Sequence, residues 1–193
     1  TLRSRGLGDV YKRQAICDYK KNQSKNCLMD LKNLWPKKDA PPIEKALKFI
    51  EKYKSKKIVL KYGGQVMASD QLSKAFAQDA AICNLIGLKN LVIHGGGPQI
   101  KKKLEAQNIQ SKFILGLRVT DEKVIKIVED VLLNDINPDL VNTISSFNAV
   151  AEPVTARNKN GILKVTKAKN PELGFVADPE EIDDEKLNSI INS

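Results

Sequence analysis

The 193-residue sequence holds one histidine, one tryptophan and three cysteines, and only 5% of it is aromatic. One histidine with Cys17, Cys27 and Cys83, none of which forms a CxxC pair, leaves too few ligands for a structural zinc site. No metal ligands are therefore expected. Unpaired thiols suit a reducing cytosol, so a cytoplasmic location is expected. Long hydrophobic runs are missing too: the apolar stretches are of the size of Leu91, Val92 and Ile93, far short of the about 20 residues that span a bilayer. No membrane partner is expected.

An excess of charge of either sign is missing from most of the chain. The net charge of +9 lies wholly within residues 1–56, and residues 57–193 are neutral. A nucleic-acid enzyme spreads lysine and arginine along its working face and adds aromatics for stacking, so this distribution argues against nucleic acid as a partner. Residues 1–14, TLRSRGLGDVYKRQ, show neither hydrophobic period nor turn logic and resemble translated adapter sequence. They are read as a non-native tail and set aside from fold reasoning. Asp9, Asp18 and Asp30 count against a transit peptide, a class poor in acids. Residues 15–40 form a basic arm, a short helix or a solvated tail, and the domain is placed at 41–193.

What is present is an alternation of strands and helices. After Pro41 and Pro42, the spacing of Ile43, Ala46, Leu47, Ile50 and Tyr53 predicts a surface helix packed on a sheet. The run KIVLKYGG predicts a buried strand that opens at Gly63 and Gly64. Leu72, Ala75, Phe76, Ala80, Cys83 and Ile86 mark a helix face, with Ser69 or Asp70 as N-cap and Gly87 as the terminal glycine. NLVIH predicts a second strand, followed by Gly95, Gly96, Gly97 and then Pro98 at a first helical position, with the helix running to about Gln107. Thr120 is the expected N-cap of a third helix carrying Val124, Ile127, Val128, Val131 and Leu132. Asn137 and Pro138 start a fourth. Residues 148–154 and 162–165 read as strands joined at a turn containing Gly161, and 183–191 as a last helix. This order predicts an α/β protein with a mainly parallel sheet covered on both sides, which binds ligands at the carboxyl ends of its strands.

Both glycine clusters lie at such ends. Consecutive glycines before a helix start present backbone N–H groups to an anion, with the helix dipole adding positive potential; the plainer reading is a tight turn that uses glycine for its backbone angles. Side chains at Gly96 or Gly97 would hold a ligand off those amides. Lys61 precedes Gly63 and Gly64 and reads as a phosphate ligand able to stabilise charge on a transferring phosphoryl group, against the alternative of a solvated strand-end lysine. Arg118 reads as a loop residue leading into a helix, suited to grip a carboxylate with two parallel bonds or merely surface-exposed. His94 reads as packing or donating a structural hydrogen bond beneath the loop. HGGG could also serve as an esterase oxyanion hole, but the GxSxG nucleophile elbow that such enzymes need is absent from the sequence.

KIVLKYGG, NLVIHGGGPQI, GLRVTDEKV and LGFVADPEEID together resemble the acetylglutamate kinase family of bacterial arginine biosynthesis, from about Ala46 to the end of the chain. The resemblance implies a three-layer α/β/α sandwich of amino acid kinase type, truncated at the C-terminus. It implies transfer of the γ-phosphoryl of Mg-ATP to the side-chain carboxylate of N-acetyl-L-glutamate. Lys61 would then stabilise the transition state, Gly63 and Gly64 would lie against the nucleotide phosphates, Gly96 and Gly97 would offer amides to the substrate, and Arg118 would bind a substrate carboxylate. Two departures stand out. The family's GLSGKDG-like segment is replaced by AEPVTARNKNG, and the half that in the family holds the adenine, an orienting aspartate, a second lysine and a substrate asparagine is not in this chain. Residues 41–193 are therefore expected to be the acetylglutamate-binding part, with negligible turnover alone, of a homo-oligomer in its full-length form. The alternatives are a carbamate, aspartate or glutamate 5-kinase, or a non-catalytic module whose basic arm docks to another subunit.

Overall fold

The computed structural model describes residues 34–35, 41–155 and 162–192; the expectations for residues 1–14, for nearly all of the basic arm and for Gly161 fall outside them. The chain divides into two compact units, Thr1–Lys54 and Ser55–Ser193.

The described part of the first unit is helix α1, Ile43–Tyr53. The indole N–H of Trp35 donates to the Pro41 carbonyl at 2.8 Å just before it. Ala46 is buried and Ile50 half-buried, but Leu47 and Tyr53 stay about half exposed. The buried stripe is narrower than the spacing predicts.

The second unit is built on two parallel strands, β1 (Lys57–Tyr62) and β2 (Lys89–His94). Their register sets Leu60 opposite Val92, Lys61 opposite Ile93 and Tyr62 opposite His94. Between them run a short turn of helix, α2 (Gly64–Met67), and the long helix α3 (Asp70–Leu85). Ser69 caps α3 by accepting from the Leu72 N–H, and Gly87, at φ 86°, lets the chain leave it. The buried face of α3 is Ala77, Ala80, Ala81 and Ile82, whereas Leu72 is half exposed. Three alanines bring the helix close to the strands, and this moves the buried stripe off the larger residues that the spacing singled out.

Helix α4 (Gly97–Ala106) follows β2. The next residues form a hairpin, β3 (Phe113–Ile114) with β4 (Leu117–Arg118), turned at Leu115 (φ 50°) and Gly116 (φ 81°). Helix α5 (Glu122–Asp130) is capped by Asp121, which accepts from the Lys123 and Val124 N–H groups at 2.9 Å, and not by Thr120 as expected. The Thr120 hydroxyl is directed elsewhere. The expected break before a fourth helix is absent: α5 runs through a π-helical turn, Val131–Ile136, into α6 (Asn137–Ser145). Pro138 has no N–H to give to the carbonyl four residues back and its ring crowds that carbonyl, so the helix widens ahead of it. The Asn137 N–H reaches the Leu132 carbonyl, five residues back.

Residues 148–154 form no strand. Asn148 turns at φ 61°, Pro153 lacks a ladder donor, and Val150 is 81% exposed. The expected strand at 162–165 is β5 (Leu163–Lys167), but it pairs antiparallel with β6 (Ala177–Ile182), a strand that the sequence reading missed. Lys164 binds Glu181 at 2.8 Å across that pair. The chain then forms α7 (Asp184–Asn192). Lys57 and Lys89 at the start of the two parallel strands donate to Asn188 and Asn192 of α7.

The core of this unit sits on one face of the parallel pair. Leu60, Tyr62 and Val92 pack with Ala77, Ala80 and Ala81 of α3 and with Leu140 and Ile144 of α6. The Tyr62 and Phe76 rings stack at 4.6 Å. A second cluster joins Ile100 and Leu104 of α4 to Val124, Ile127, Val131 and Ile136. The mixed α/β architecture with parallel strands is the one expected. Among the described residues the parallel sheet is the β1–β2 pair, and the other strands form antiparallel hairpins.

Candidate functional site

The two glycine loops meet at the carboxyl ends of β1 and β2. The Gly95 N–H donates to the Tyr62 carbonyl at 3.4 Å, which joins the start of the second loop to the end of the first strand. A Cβ on Gly64 would lie 3.1 Å from Cδ and Cγ of Pro98, so the loops touch. Pro98, set at the start of α4, is thus a site residue whose contact with Gly64 the sequence reading missed.

Gly96 and Gly97 have different physical reasons to be glycine. A Cβ on Gly96 would fall 2.7 Å from Cδ2 of Leu132 and 2.9 Å from Cδ1 of Ile136, both on the π-helical turn. A side chain at 96 would have to displace both methyl ends, so packing is one reason for glycine there. A Cβ on Gly97 would have nothing within 4 Å, and the same holds at Gly63. Access to backbone amides at the head of α4 therefore rests on Gly97. The π turn is pinned from outside, where Lys103 of α4 binds Asp130 at 2.5 Å and Asp135 at 3.0 Å. Hydrogen bonding to Asp130 and then Asp135 raises the Lys103 pKa, and the Lys103 and Asn134 bonds lower that of Asp130.

Lys61 is exposed. Strand alternation sets it on the sheet face opposite the α3 and α6 core, alongside Val59 and Ile93, which are 61% and 53% exposed. It has no hydrogen-bond or ion-pair partner among the described residues. A solvent-facing ammonium one residue before the end of β1 is available to an anion at the strand tips. Tyr62, next to it, is turned inward and donates its hydroxyl to Ser73 Oγ at 2.8 Å. His94 at the end of β2 makes a 3.0 Å contact to the carbonyl of its neighbour Gly95.

Arg118 is not on a loop but in β4, directly opposite Phe113. Its guanidinium carbon lies 4.8 Å from the centre of the Phe113 ring and it donates to Ser111 Oγ. Cation–π attraction and one hydrogen bond hold the fork while leaving other N–H donors for a ligand. Ser111 and Phe113 were missed because a two-residue strand has no period to read. The structure gathers Lys61, Gly63, Gly64, Gly96 and Gly97 at one sheet end, and carries Arg118 on the hairpin that follows α4.

Two clefts of about 510 and 540 Å³ border the strands, one along β2 as far as His94 with residues 150–152 and α7, the other beside Tyr62, Lys74, Gln99 and Asp139. Neither is lined by Lys61, Gly96, Gly97 or Arg118. Among the described residues no group of three or more His, Cys, Asp or Glu is placed to hold a metal, and no helix is long and apolar enough to cross a membrane. Burial, and then Asp79, push the Cys83 thiol up, which favours the unreactive protonated form.

A family model described as the amino acid kinase family matches residues 56–191. The chain belongs to that family. Among curated relatives it is 39% identical over 164 residues to an acetylglutamate kinase of Pelagibacter ubique (strain HTCC1062), covering 85% of this chain and 56% of that protein. It is 40% identical over 157 residues to an acetylglutamate kinase of Carboxydothermus hydrogenoformans, covering 76% and 53%. The chain thus spans about half the length of the curated relatives it matches. Two solved structures share the amino acid kinase family chain's fold at a TM-score of 0.57. One is the smu.665 protein of Streptococcus mutans UA159, at 24% identity over 70% of this chain and 54% of that one. The other is N-acetylglutamate synthase of Neisseria gonorrhoeae with coenzyme A and N-acetyl-glutamate, at 16% identity over 78% and 34%.

Proposed function

We propose that this chain is the acceptor-binding part of an acetylglutamate kinase, which transfers the γ-phosphoryl group of ATP to the side-chain carboxylate of N-acetyl-L-glutamate. The observation that carries this reading is the contact between the two glycine loops at adjacent parallel strand tips, with Gly97 open at the head of α4 and Lys61 exposed beside them. The acetylglutamate kinase names of relatives at 36–40% identity support the choice of acceptor.

In this reaction a side-chain carboxylate oxygen forms a bond to the γ-phosphorus, the bond to the bridging oxygen breaks, and ADP leaves with that electron pair. No proton need move. The product is an acyl phosphate, formed directly without a phosphoenzyme. Catalysis is then positioning plus stabilisation of charge on the phosphoryl oxygens. Lys61 supplies positive charge at the phosphoryl group. Gly63 and Gly64 let the nucleotide phosphates approach the backbone, and the amides at Gly96 and Gly97 hold the acceptor. Arg118 grips the carboxylate that does not react, since a bidentate pair would tie up the attacking one. Mg²⁺ would arrive on the phosphates of ATP and offset their charge. The chain's share is the acceptor side, and turnover belongs to the complete protein that carries it. A cytoplasmic homo-oligomer completes the reading. The free thiol of Cys83 suits a reducing compartment, and half-exposed Leu163, Val165 and Ile182 on the β5–β6 hairpin suit self-association.

The test is kinetic, in the complete protein. Lys61→Ala should lower kcat by about 100-fold or more with little change in acceptor KM, as for loss of a transition-state donor. Arg118→Ala should raise acceptor KM by about 10- to 100-fold, the range for losing a charge-assisted bond. Among N-acetyl-L-glutamate, aspartate and carbamate, the first should be the preferred acceptor. Equal effects of both substitutions on both parameters, or a preference for another acceptor, would overturn the assignment.

A further inference from the structure

The run Leu173, Gly174, Phe175 has no part in the site described so far, yet it is tied to the strand that carries Arg118. Thr120, two residues beyond Arg118, is only 5% exposed. Its N–H donates to the Leu173 carbonyl at 2.9 Å, and its own carbonyl accepts from the Phe175 N–H at 2.7 Å. The two bonds form an isolated parallel bridge centred on Thr120 and Gly174. Leu173, 4% exposed, anchors the far side. The Thr120 hydroxyl is directed back along the chain and donates to the Arg118 carbonyl at 3.0 Å.

We propose that Thr120 and Gly174 are positioning residues for Arg118, fixing its backbone so that the guanidinium meets a substrate carboxylate in one orientation; the proposal rests on the acceptor reading above. From the hairpin side, the Val119 N–H donates to the Lys112 carbonyl at 2.9 Å, and Ser111 with Phe113 holds the guanidinium. From the other side the bridge is the brace. Immediately after it, Asp121 caps α5 with two 2.9 Å bonds, so the segment is pinned between a bridge and a helix start. A two-bond grip depends on direction, so a small displacement of its base lowers affinity without altering the chemistry of transfer.

Only glycine fits at 174. Its φ is +71°, and a Cβ there would fall 2.3 Å from the Thr120 carbonyl oxygen and 3.0 Å from its carbon. A backbone neighbour cannot rotate aside as a side-chain end can. Any larger residue must break the bridge or push Thr120 away, and Thr120 is joined to Arg118 by its hydroxyl.

The test measures acceptor KM, ATP KM and kcat in the complete protein. Thr120→Val keeps the shape of the side chain and removes the hydroxyl. It should raise acceptor KM about five-fold, the loss of one hydrogen bond, with kcat and ATP KM within about two-fold. Thr120→Ser keeps the hydroxyl and should restore the acceptor KM. Gly174→Ala should exceed Thr120→Val if it folds; the Thr120 pair decides the matter if it does not. In an Arg118→Ala background Thr120→Val should add nothing, because its effect passes through Arg118. If Arg118→Ala raises acceptor KM but Thr120→Val leaves it unchanged, or the two effects simply add, the positioning proposal fails while the acceptor reading stands. A lower kcat with unchanged KM in both Thr120 variants also overturns it. If Arg118→Ala itself has no effect on acceptor KM, the acceptor reading falls and takes the proposal with it.

Discussion

Replacing Gly96 by alanine separates packing from ligand binding at the glycine loop. The added methyl would sit 2.7 Å from Cδ2 of Leu132 and 2.9 Å from Cδ1 of Ile136, about 1 Å inside ordinary carbon–carbon contact. Both contacts are side-chain ends carried on the π-helical turn that Lys103 ties to α4, so the methyl is admitted only as those ends rotate aside into their own packing. Overpacking of this kind costs about 1–3 kcal/mol, which for a unit of this size lowers Tm by roughly 3–10 °C. At Gly97 the same substitution meets nothing within 4 Å and lies at the head of a helix, so stability should hold or rise slightly. Urea unfolding of the 193-residue chain, followed by circular dichroism, should show a lower midpoint for Gly96→Ala and none for Gly97→Ala. Leu132→Ala makes room for the methyl, so Gly96→Ala should cost less in that background than in the wild type. A wild-type midpoint for Gly96→Ala, or strict additivity with Leu132→Ala, would refute the packing argument.

Other expectations follow from the caps and ion pairs. Asp121→Ala removes both cap bonds of α5 and should cost about 0.5–2 kcal/mol in urea unfolding, whereas Asp121→Asn should cost less; an unchanged midpoint in Asp121→Ala would return the cap to Thr120. Asp130 has its carboxyl pKa lowered by Lys103 and Asn134. Its contribution to stability is present above the ordinary aspartate pKa and is lost as pH falls through the lowered value. The wild-type midpoint should therefore fall from about pH 4 downward more steeply than that of Lys103→Met. Parallel profiles would show that the pair adds nothing.

The parallel strands were legible because Ile58, Val59 and Leu60, and Leu91, Val92 and Ile93, are short β-branched and leucine runs that stop at glycines. The limits of α3 were legible for a similar reason: Ser69 and Gly87 each do one local thing. What was not legible depends on partners remote in sequence. The β3–β4 hairpin turns on Leu115 at φ 50°, a position where asparagine or glycine would have been the signal. Strand β6 reads ADPEEI, which has a proline and three acids and forms a strand opposite the lysines of β5. Residues 148–154 look apolar enough for a strand, but Pro153 and the turn at Asn148 prevent it. At the site, the glycines and Lys61 could be found from sequence because they follow the strands. That Gly96 serves packing could not, because Leu132 and Ile136 lie about 40 residues away. The Thr120–Gly174 bridge spans a still longer gap, and its signal was only a glycine between two bulky residues.

The most direct measurement is a titration of ¹⁵N-labelled complete protein with N-acetyl-L-glutamate, followed by NMR. The account predicts the largest shifts at the Gly97 amide and the Arg118 side-chain Nε–H, with Gly96 moving alongside. Shifts that centre instead on Asn90 and Val92, in the cleft along β2, with Gly97 and Arg118 unmoved, would contradict it.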